Sequence, residues 1–141
     1  MKKISLTIFL FVIIFSSIYG HQDDDLEKAI QMIIIRETAR GIGFEQKSIS
    51  LFFIENIIIE RINDIEVITE IIEILEFLYI DAINNYYDVE EFIQIRQRIV
   101  ACLGNIGSEE TINILIFVVQ NDNNITIVNM AEKIIFQIEK R

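Results

Sequence analysis

A pattern of apolar residues that recurs after 32 residues constrains the fold of this chain more than any other feature. Within each copy, apolar and small residues follow the three- and four-residue steps of a helix that buries one face. Repetition at this period on a helical pattern is typical of stacked helix pairs, in which each pair packs on its neighbours. The matching positions are Ile95, Ile99, Cys102, Leu103 and Ile106 in the first copy and Ile127, Ala131, Ile134, Ile135 and Ile138 in the second.

Six helices and no strand account for the chain after residue 20. The first is expected to start at Asp24 or Asp25 and to stop at the glycines 41 and 43, and the second to cover about 48–62. Because the second helix is apolar almost all round, we expect it in the centre of the stack. The third covers about 65–84, Gly107 ends the fourth in a left-handed conformation, Ser108 caps the fifth, and the sixth covers about 125–140.

Short loops between consecutive helices favour antiparallel neighbours. The predicted fold is therefore all-α, a short α-solenoid of about six helices in three antiparallel pairs. Asp88 and Glu91 have the spacing of a capping box, in which two side chains bond the free backbone N–H groups at a helix start, so we expect them to open the fourth helix.

The last part of the chain contains Arg96, the run Leu103-Gly104-Asn105-Ile106-Gly107 and the acidic start Ser108-Glu109-Glu110 of the next helix. In these features it resembles HEAT repeats of the short kind, with about 30 residues each. The resemblance covers the chain from Ile95 onward. The family's arginine is replaced by Val128 in the following copy, so an unbroken ladder of Asp–Arg contacts between repeats is not expected.

The resemblance implies a non-catalytic binding surface on the concave side, formed by the second helix of each pair. The polar positions that it assigns to this surface are Glu90, Gln94, Gln97 and Asn105 on the fourth helix and Asn129, Lys133 and Gln137 on the sixth.

Residues 1–20 have the order of a secretory signal peptide: a basic start at Lys2 and Lys3, an apolar run, and small residues up to Gly20. We expect cleavage after Gly20, a mature domain over 21–141 and a secreted or periplasmic location. An uncleaved leader would instead anchor the chain in a membrane. Cleavage would take the formal charge from −10 to −12, because Lys2 and Lys3 are lost. This charge disfavours nucleic acid and anionic membrane surfaces. It is compatible with a basic protein partner or a divalent cation, although the solubility of an apolar chain is by itself a sufficient reason for it.

The chain offers little of the chemistry that enzymes use. His21 is the single histidine, so nucleophile–histidine catalysis lacks an internal base and a copper site lacks its second ring. Cys102 is the single cysteine, and its place in the repeat predicts a buried, unreactive thiol. The oxygen-rich run 121–124 is followed by Ile125, which spoils a calcium loop and favours a turn. We therefore predict no enzyme activity, no metal and no cofactor.

One face of the third helix is the strongest candidate for a partner contact. Phe77 falls in the middle of an acidic stripe, opposite the residues that the helical period assigns to the core, and no Lys or Arg occurs between Ile62 and Ile95. An aromatic ring rimmed by carboxylates suits an interaction hot spot. Alternatively, Phe77 covers a neighbouring helix or the loop at Tyr86-Tyr87. The stripe consists of Glu66, Glu70, Glu73, Phe77 and Asp81.

The predicted function is that of an exported protein–protein interaction module. Two alternatives remain open: a carrier whose second helix lines a pocket for an apolar ligand, and a membrane-tethered structural protein with an uncut leader.

Overall fold

The computed structural model describes residues 24–141, which form six α-helices and no strand. The predicted all-α class is therefore confirmed for this part of the chain. The expected signal peptide and His21 lie outside the described residues. The helices are α1 (Asp24–Arg40), α2 (Phe44–Arg61), α3 (Ile65–Tyr86), α4 (Glu90–Ile106), α5 (Glu109–Asn121) and α6 (Ile125–Glu139).

Several helix ends follow from single residues that the sequence identifies. The Asp64 carboxylate accepts a hydrogen bond from the Val67 N–H and caps α3. Gly107 has φ +63°, in the left-handed region that glycine adopts without steric cost, and ends α4. The Ser108 hydroxyl then accepts from the Thr111 N–H at the start of α5. These three boundaries fall where the sequence predicts them.

Two helix starts differ from the prediction. α2 begins at Phe44 rather than near residue 48, directly after Gly43, whose φ of +92° turns the chain between α1 and α2. The predicted capping box at the start of α4 is wrong. Val89 occupies the cap position without any side-chain hydrogen bond, and Phe92 is buried and stacks on Tyr86 at 4.0 Å between ring centroids. The Asp88 carboxylate therefore does not cap α4, whose start carries the stacked rings of Tyr86 and Phe92.

α4, rather than α2, lies at the centre of the packing. Consecutive helices contact each other, and α4 also contacts α2 on one side and α6 on the other. α2 contacts α1, α3 and α4 but leaves part of its surface in solvent, where Ile59 is 79% exposed and Phe52 is 55% exposed. The sequence suggested α2 as the central helix because apolar residues surround it, and the structure corrects this.

The repeated positions form much of the core. In α4, Ile95, Ile99 and Leu103 are fully buried and Cys102 nearly so. In α6, Ile127, Ala131 and Ile138 are buried, whereas Ile134 and Ile135 are half-buried against the core, as is Ile106 at the end of α4. The second copy is less covered because, within the described residues, no further helix packs beyond α6.

Candidate functional site

The acidic face of α3 is set by the residues that the helix buries on its other side. Ile68, Ile71, Leu75, Leu78 and Tyr79 all face the core, as the helical period predicts. The opposite positions therefore point away from it. We call this surface the α3 face and define it by Glu66, Glu70, Glu73, Phe77 and Asp81, of which Glu70 and Asp81 are half-buried and the others exposed.

Basic side chains from other helices neutralise part of the α3 face. The Arg36 guanidinium of α1 pairs with Glu70, and the Lys47 ammonium of α2 lies 3.1 Å from an Asp81 oxygen. The absence of Lys and Arg between residues 62 and 95 suggested an uncompensated stripe, but α1 and α2 supply the cations. Glu66 and Glu73 remain as exposed carboxylates without an ion pair to these helices.

Phe77 lies beside the C-terminal end of the neighbouring helix α1. Its ring borders a hollow of about 350 Å³ between α1 and α3, which Arg40 and Glu73 also line. The Lys47 ammonium, which is buried and donates to the Ala39 carbonyl oxygen, lies 5.4 Å from the ring centroid. Phe77 is nevertheless 46% exposed. Its ring is therefore held on one side by a cation and open to solvent on the other.

The polar positions that the HEAT resemblance assigns to a concave surface lie on two helices that pack against each other, α4 and α6. Gln94, Asn129 and Lys133 are exposed, and Gln97 is half-buried. A Cβ atom added to Gly104 would lie 3.0 Å from the Ile134 side chain, so the two helices approach closely between these polar positions.

A second hollow, of about 390 Å³, lies beside this surface between α2 and α4. Ile58, Ile59 and Ala101 line it, and the ion pair between Glu55 and Arg98, with 2.7 Å between the Arg98 Nε and a Glu55 oxygen, stands at its edge.

A buried polar cluster joins three parts of the chain and was not expected from the sequence. Arg96 donates from Nε to an Asp122 oxygen at 2.9 Å, and Tyr79 donates from its hydroxyl to the same oxygen at 2.9 Å. Arg96 also donates to the Tyr87 carbonyl oxygen at 3.2 Å, and its guanidinium lies over the Tyr87 ring. The other Asp122 oxygen accepts from the Asn124 N–H at 2.9 Å. The side chains of Arg96 and Asp122 are 1% and 0% exposed.

The cluster supports structure rather than chemistry. Burial, followed by the neighbouring Asp122 charge, raises the pKa of Tyr79 above its ordinary value and keeps its hydroxyl protonated as a donor. The available sequence signals are an arginine within the apolar stripe of α4 and an aspartate in the turn over 121–124. The connection covers 122–124 and is one residue shorter than predicted, because Asn121 still belongs to α5. Asn124 caps α6 through the N–H groups of Thr126 and Ile127.

Cys102 is buried, as predicted, and burial raises the pKa of its thiol to about 12, so that it stays protonated at neutral pH. Residues 24–141 contain no group of three or more His, Cys, Asp or Glu side chains placed to hold a metal ion. Across the same residues, none of the helices combines the length and apolar character that crossing a bilayer requires.

Comparisons of the chain with models of protein families, with curated proteins and with solved structures found no match.

Proposed function

We propose that this chain is an exported, non-catalytic protein-binding domain, built as a short α-solenoid of three antiparallel helix pairs like those of HEAT repeats. The order of packing supports the solenoid. The second helices of the pairs, α2, α4 and α6, contact one another in sequence, and the first helices α1, α3 and α5 do the same. Stacked pairs produce this pattern because each pair contacts only its neighbours.

One observation carries the proposal of binding: Phe77 is 46% exposed on a face that retains the exposed carboxylates Glu66 and Glu73. A ring at the centre of a contact supplies most of the desolvated area, and carboxylates at its rim accelerate the encounter with a basic partner. Because Arg36 neutralises Glu70 and Lys47 neutralises Asp81, the attraction rests mainly on Glu66 and Glu73.

The proposal is tested by capture of partners from the envelope of the native organism, with the exported protein as bait. Phe77→Ser and Glu73→Lys should each lose a partner that the parent protein retains. Phe52→Ser is the matched control, because Phe52 is a similarly exposed phenylalanine on α2. A partner that is lost only with Phe52→Ser, or with Gln94→Ala and Lys133→Ala, would move the contact to the surface formed by α2, α4 and α6.

Binding kinetics with an isolated partner separate the two roles. Glu73→Lys should slow association and weaken its dependence on salt, because it removes a steering charge. Phe77→Ala should mainly raise the dissociation rate. The expected loss of binding free energy is about 1 to 3 kcal/mol, as for an interaction hot spot. Circular dichroism of both variants checks that they fold.

Export rests on the leader alone. Intact-mass measurement of protein recovered outside the cytoplasm should give a chain that begins at His21. A full-length chain in the membrane fraction would instead support the tethered structural protein.

A carrier of apolar ligands is a second candidate, because the hollow between α2 and α4 has Ile58, Ile59 and Ala101 in its wall. The carrier requires saturable binding of an apolar dye such as ANS to the folded protein, with loss in Ile59→Asp. Dye binding that is weak and unchanged by Ile59→Asp would leave the binding module as the better account.

A further inference from the structure

The outer side of the last helix pair holds a groove that α5 and α6 form together. We call it the α5–α6 groove. Its volume is about 280 Å³, and it extends over two turns of α6, which corresponds to roughly 10 Å along the helix axis. It is distinct from the α3 face and from the surface between α2 and α4. Its walls consist of the apolar residues Ile116, Val119, Ile135 and Phe136, the carboxylates Glu132 and Glu139, and Gln120.

The 32-residue repeat shows what normally covers these positions. Leu103 in α4 corresponds to Ile135 in α6, and Gly104 corresponds to Phe136. In α4 this side is closed by the next pair: Leu103 is fully buried, and Gly104 is in close contact with Ile134 of α6. In α6, no further helix within the described residues packs against the same side, and Phe136 is 56% exposed. A helix is therefore the element that the repeat geometry places against this side.

The α5–α6 groove lacks the fully polar surface that is typical of the terminal repeat of a repeat protein. A terminal repeat that only needs solubility carries polar residues on its outer side. Here a glutamate, Glu132, replaces the buried Val100 of the preceding copy, but Ile135 and Phe136 stay apolar. Since phenylalanine blocks the close approach that Gly104 allows in α4, a helix would lie in the groove between α5 and α6 rather than directly on α6.

The charges of the groove select the kind of helix. Seven side chains line it within residues 24–141, and none is basic; Gln120 is the remaining one. Glu132 and Glu139 stand seven residues apart on α6, which puts them on the same side, two turns from each other. Lys140 is not part of this lining, but its ammonium lies 4.1 Å from the Phe136 ring centroid, so a cation of the same chain already covers part of the ring.

A second copy of this chain is a poor occupant. The protein carries a formal charge of −10, so two copies repel each other. Of the ten basic side chains within the described residues, six are already engaged in ion pairs: Lys28, Arg36, Lys47, Arg61, Arg96 and Arg98.

We propose that the α5–α6 groove binds an amphipathic helix of a partner protein, with an apolar face against Val119, Ile135 and Phe136 and with Lys or Arg residues opposite Glu132 and Glu139. The contact adds a second surface to the proposed binding domain and does not depend on the α3 face.

The probe is a labelled synthetic peptide of about 18 residues, because shorter isolated helices are marginal in water. Leucines form one helical face, and lysines flank it at seven-residue spacing. There are two control peptides. The first has the same composition in scrambled order, and the second keeps the order but has glutamates in place of the lysines. Fluorescence anisotropy with the purified protein at moderate salt measures the affinity, and sedimentation measures the state of association.

The parent protein should bind the lysine peptide at least tenfold more tightly than either control peptide. Phe136→Ser and the double change Glu132→Lys with Glu139→Lys should each weaken binding by about tenfold or more. Phe52→Ser and Phe77→Ala should leave it unchanged, because these residues lie on other surfaces. Glu132 and Glu139 are exposed, so their variants test the site even if Phe136→Ser folds poorly.

Equal binding of the scrambled peptide would overturn the proposal, since it would reduce the effect to a non-specific attraction between opposite charges. Loss with Phe77→Ala but not with the groove variants would place the helix on the α3 face, supporting the proposed function and rejecting this groove. Self-association that Phe136→Ser abolishes would make a second copy the occupant and would also reject the proposal. Chemical shift changes confined to α5 and α6 on addition of the lysine peptide would support it independently.

Discussion

Replacing Arg96 by methionine should destabilise the domain much more than the same replacement at Arg98, two residues further along α4. Both arginines form an ion pair through Nε with a carboxylate from another part of the chain, at 2.9 Å from Asp122 and 2.7 Å from Glu55. The first pair is buried completely, whereas about a third of each partner in the second is in solvent. Methionine keeps an unbranched apolar stem and removes the charge.

The expected loss follows from the groups that Arg96→Met leaves without a partner. The Asp122 carboxylate would stay buried with hydrogen bonds only from Tyr79 and Asn124, and the Tyr87 carbonyl oxygen would lose its Arg96 donor. Removing one member of a buried ion pair costs about 3 to 5 kcal/mol. An ion pair that solvent reaches, such as the half-buried pair of Arg98, contributes about 0 to 1 kcal/mol.

The assay is urea unfolding of the parent and both variants at neutral pH, supported by thermal melts. A loss of 3 to 5 kcal/mol is large beside the total of about 5 to 15 kcal/mol for a domain. It corresponds to a decrease in Tm of about 12 to 20 °C, because roughly 4 °C per kcal/mol applies at this size. Arg98→Met should lower Tm by no more than about 4 °C.

A double-mutant cycle isolates the ion pair from the packing of the stem. Asp122→Asn keeps the side-chain shape, and the double variant with Arg96→Met should be less destabilised than the sum of the single changes by about 1 to 3 kcal/mol. Additive effects, or equal and small effects of Arg96→Met and Arg98→Met, would refute the argument that a buried ion pair holds this end of the fold together.

Three further predictions concern the packing, the pH dependence and the thiol. Ile99→Ala should cost about 2 to 5 kcal/mol in urea unfolding because Ile99 is fully buried, whereas Gln97→Ala should cost at most about 0.5 kcal/mol; equal costs would contradict the assigned faces of α4. The hydrogen bond from Lys28, followed by that from the Val67 N–H, lowers the pKa of Asp64, so its stabilising effect should be present above about pH 4 and be lost as the pH falls below it. Asp64→Asn keeps a good helix cap and should flatten this part of the pH profile of stability; an unchanged profile would contradict the assignment. Cys102 should react with a thiol reagent only at the rate of unfolding or local opening, and rapid labelling of the native protein would show that it is accessible.

Much of the helical layout could be predicted from residues close together in the sequence. The period of apolar positions identified the buried side of α3 and most of the buried positions of α4, and Gly107 and Ser108 marked a helix end and the next helix start. These features depend on φ/ψ preferences and on hydrogen bonds within a few residues. The capping box at Asp88 was wrong: Val89 occupies the cap position without a side-chain hydrogen bond, and the rings of Tyr86 and Phe92 stack at the start of α4.

The properties of the candidate surfaces could not be predicted in the same way. Whether Glu70 is a free charge depends on Arg36, which lies 34 residues earlier in the chain. Arg96 forms its ion pair with Asp122, which lies 26 residues later. No local pattern encodes these distances, because they are fixed only when the helices pack. For the same reason, the sequence marked Phe77 as a residue opposite the core but did not show the Lys47 ammonium beside its ring.

For residues 24–141, the sequence by itself determined the number of helices, most of their bounds and which side of most helices turns away from water, since these depend on local hydrogen bonding and on the spacing of apolar side chains. The tertiary structure decided which helix became central, which charges are paired and which apolar surfaces stay open. α4 lies between α2 and α6, whereas α2 and α6 each keep part of their apolar surface in solvent. A helix can bury only the faces that neighbouring helices cover, and the position of those neighbours is a property of the whole fold.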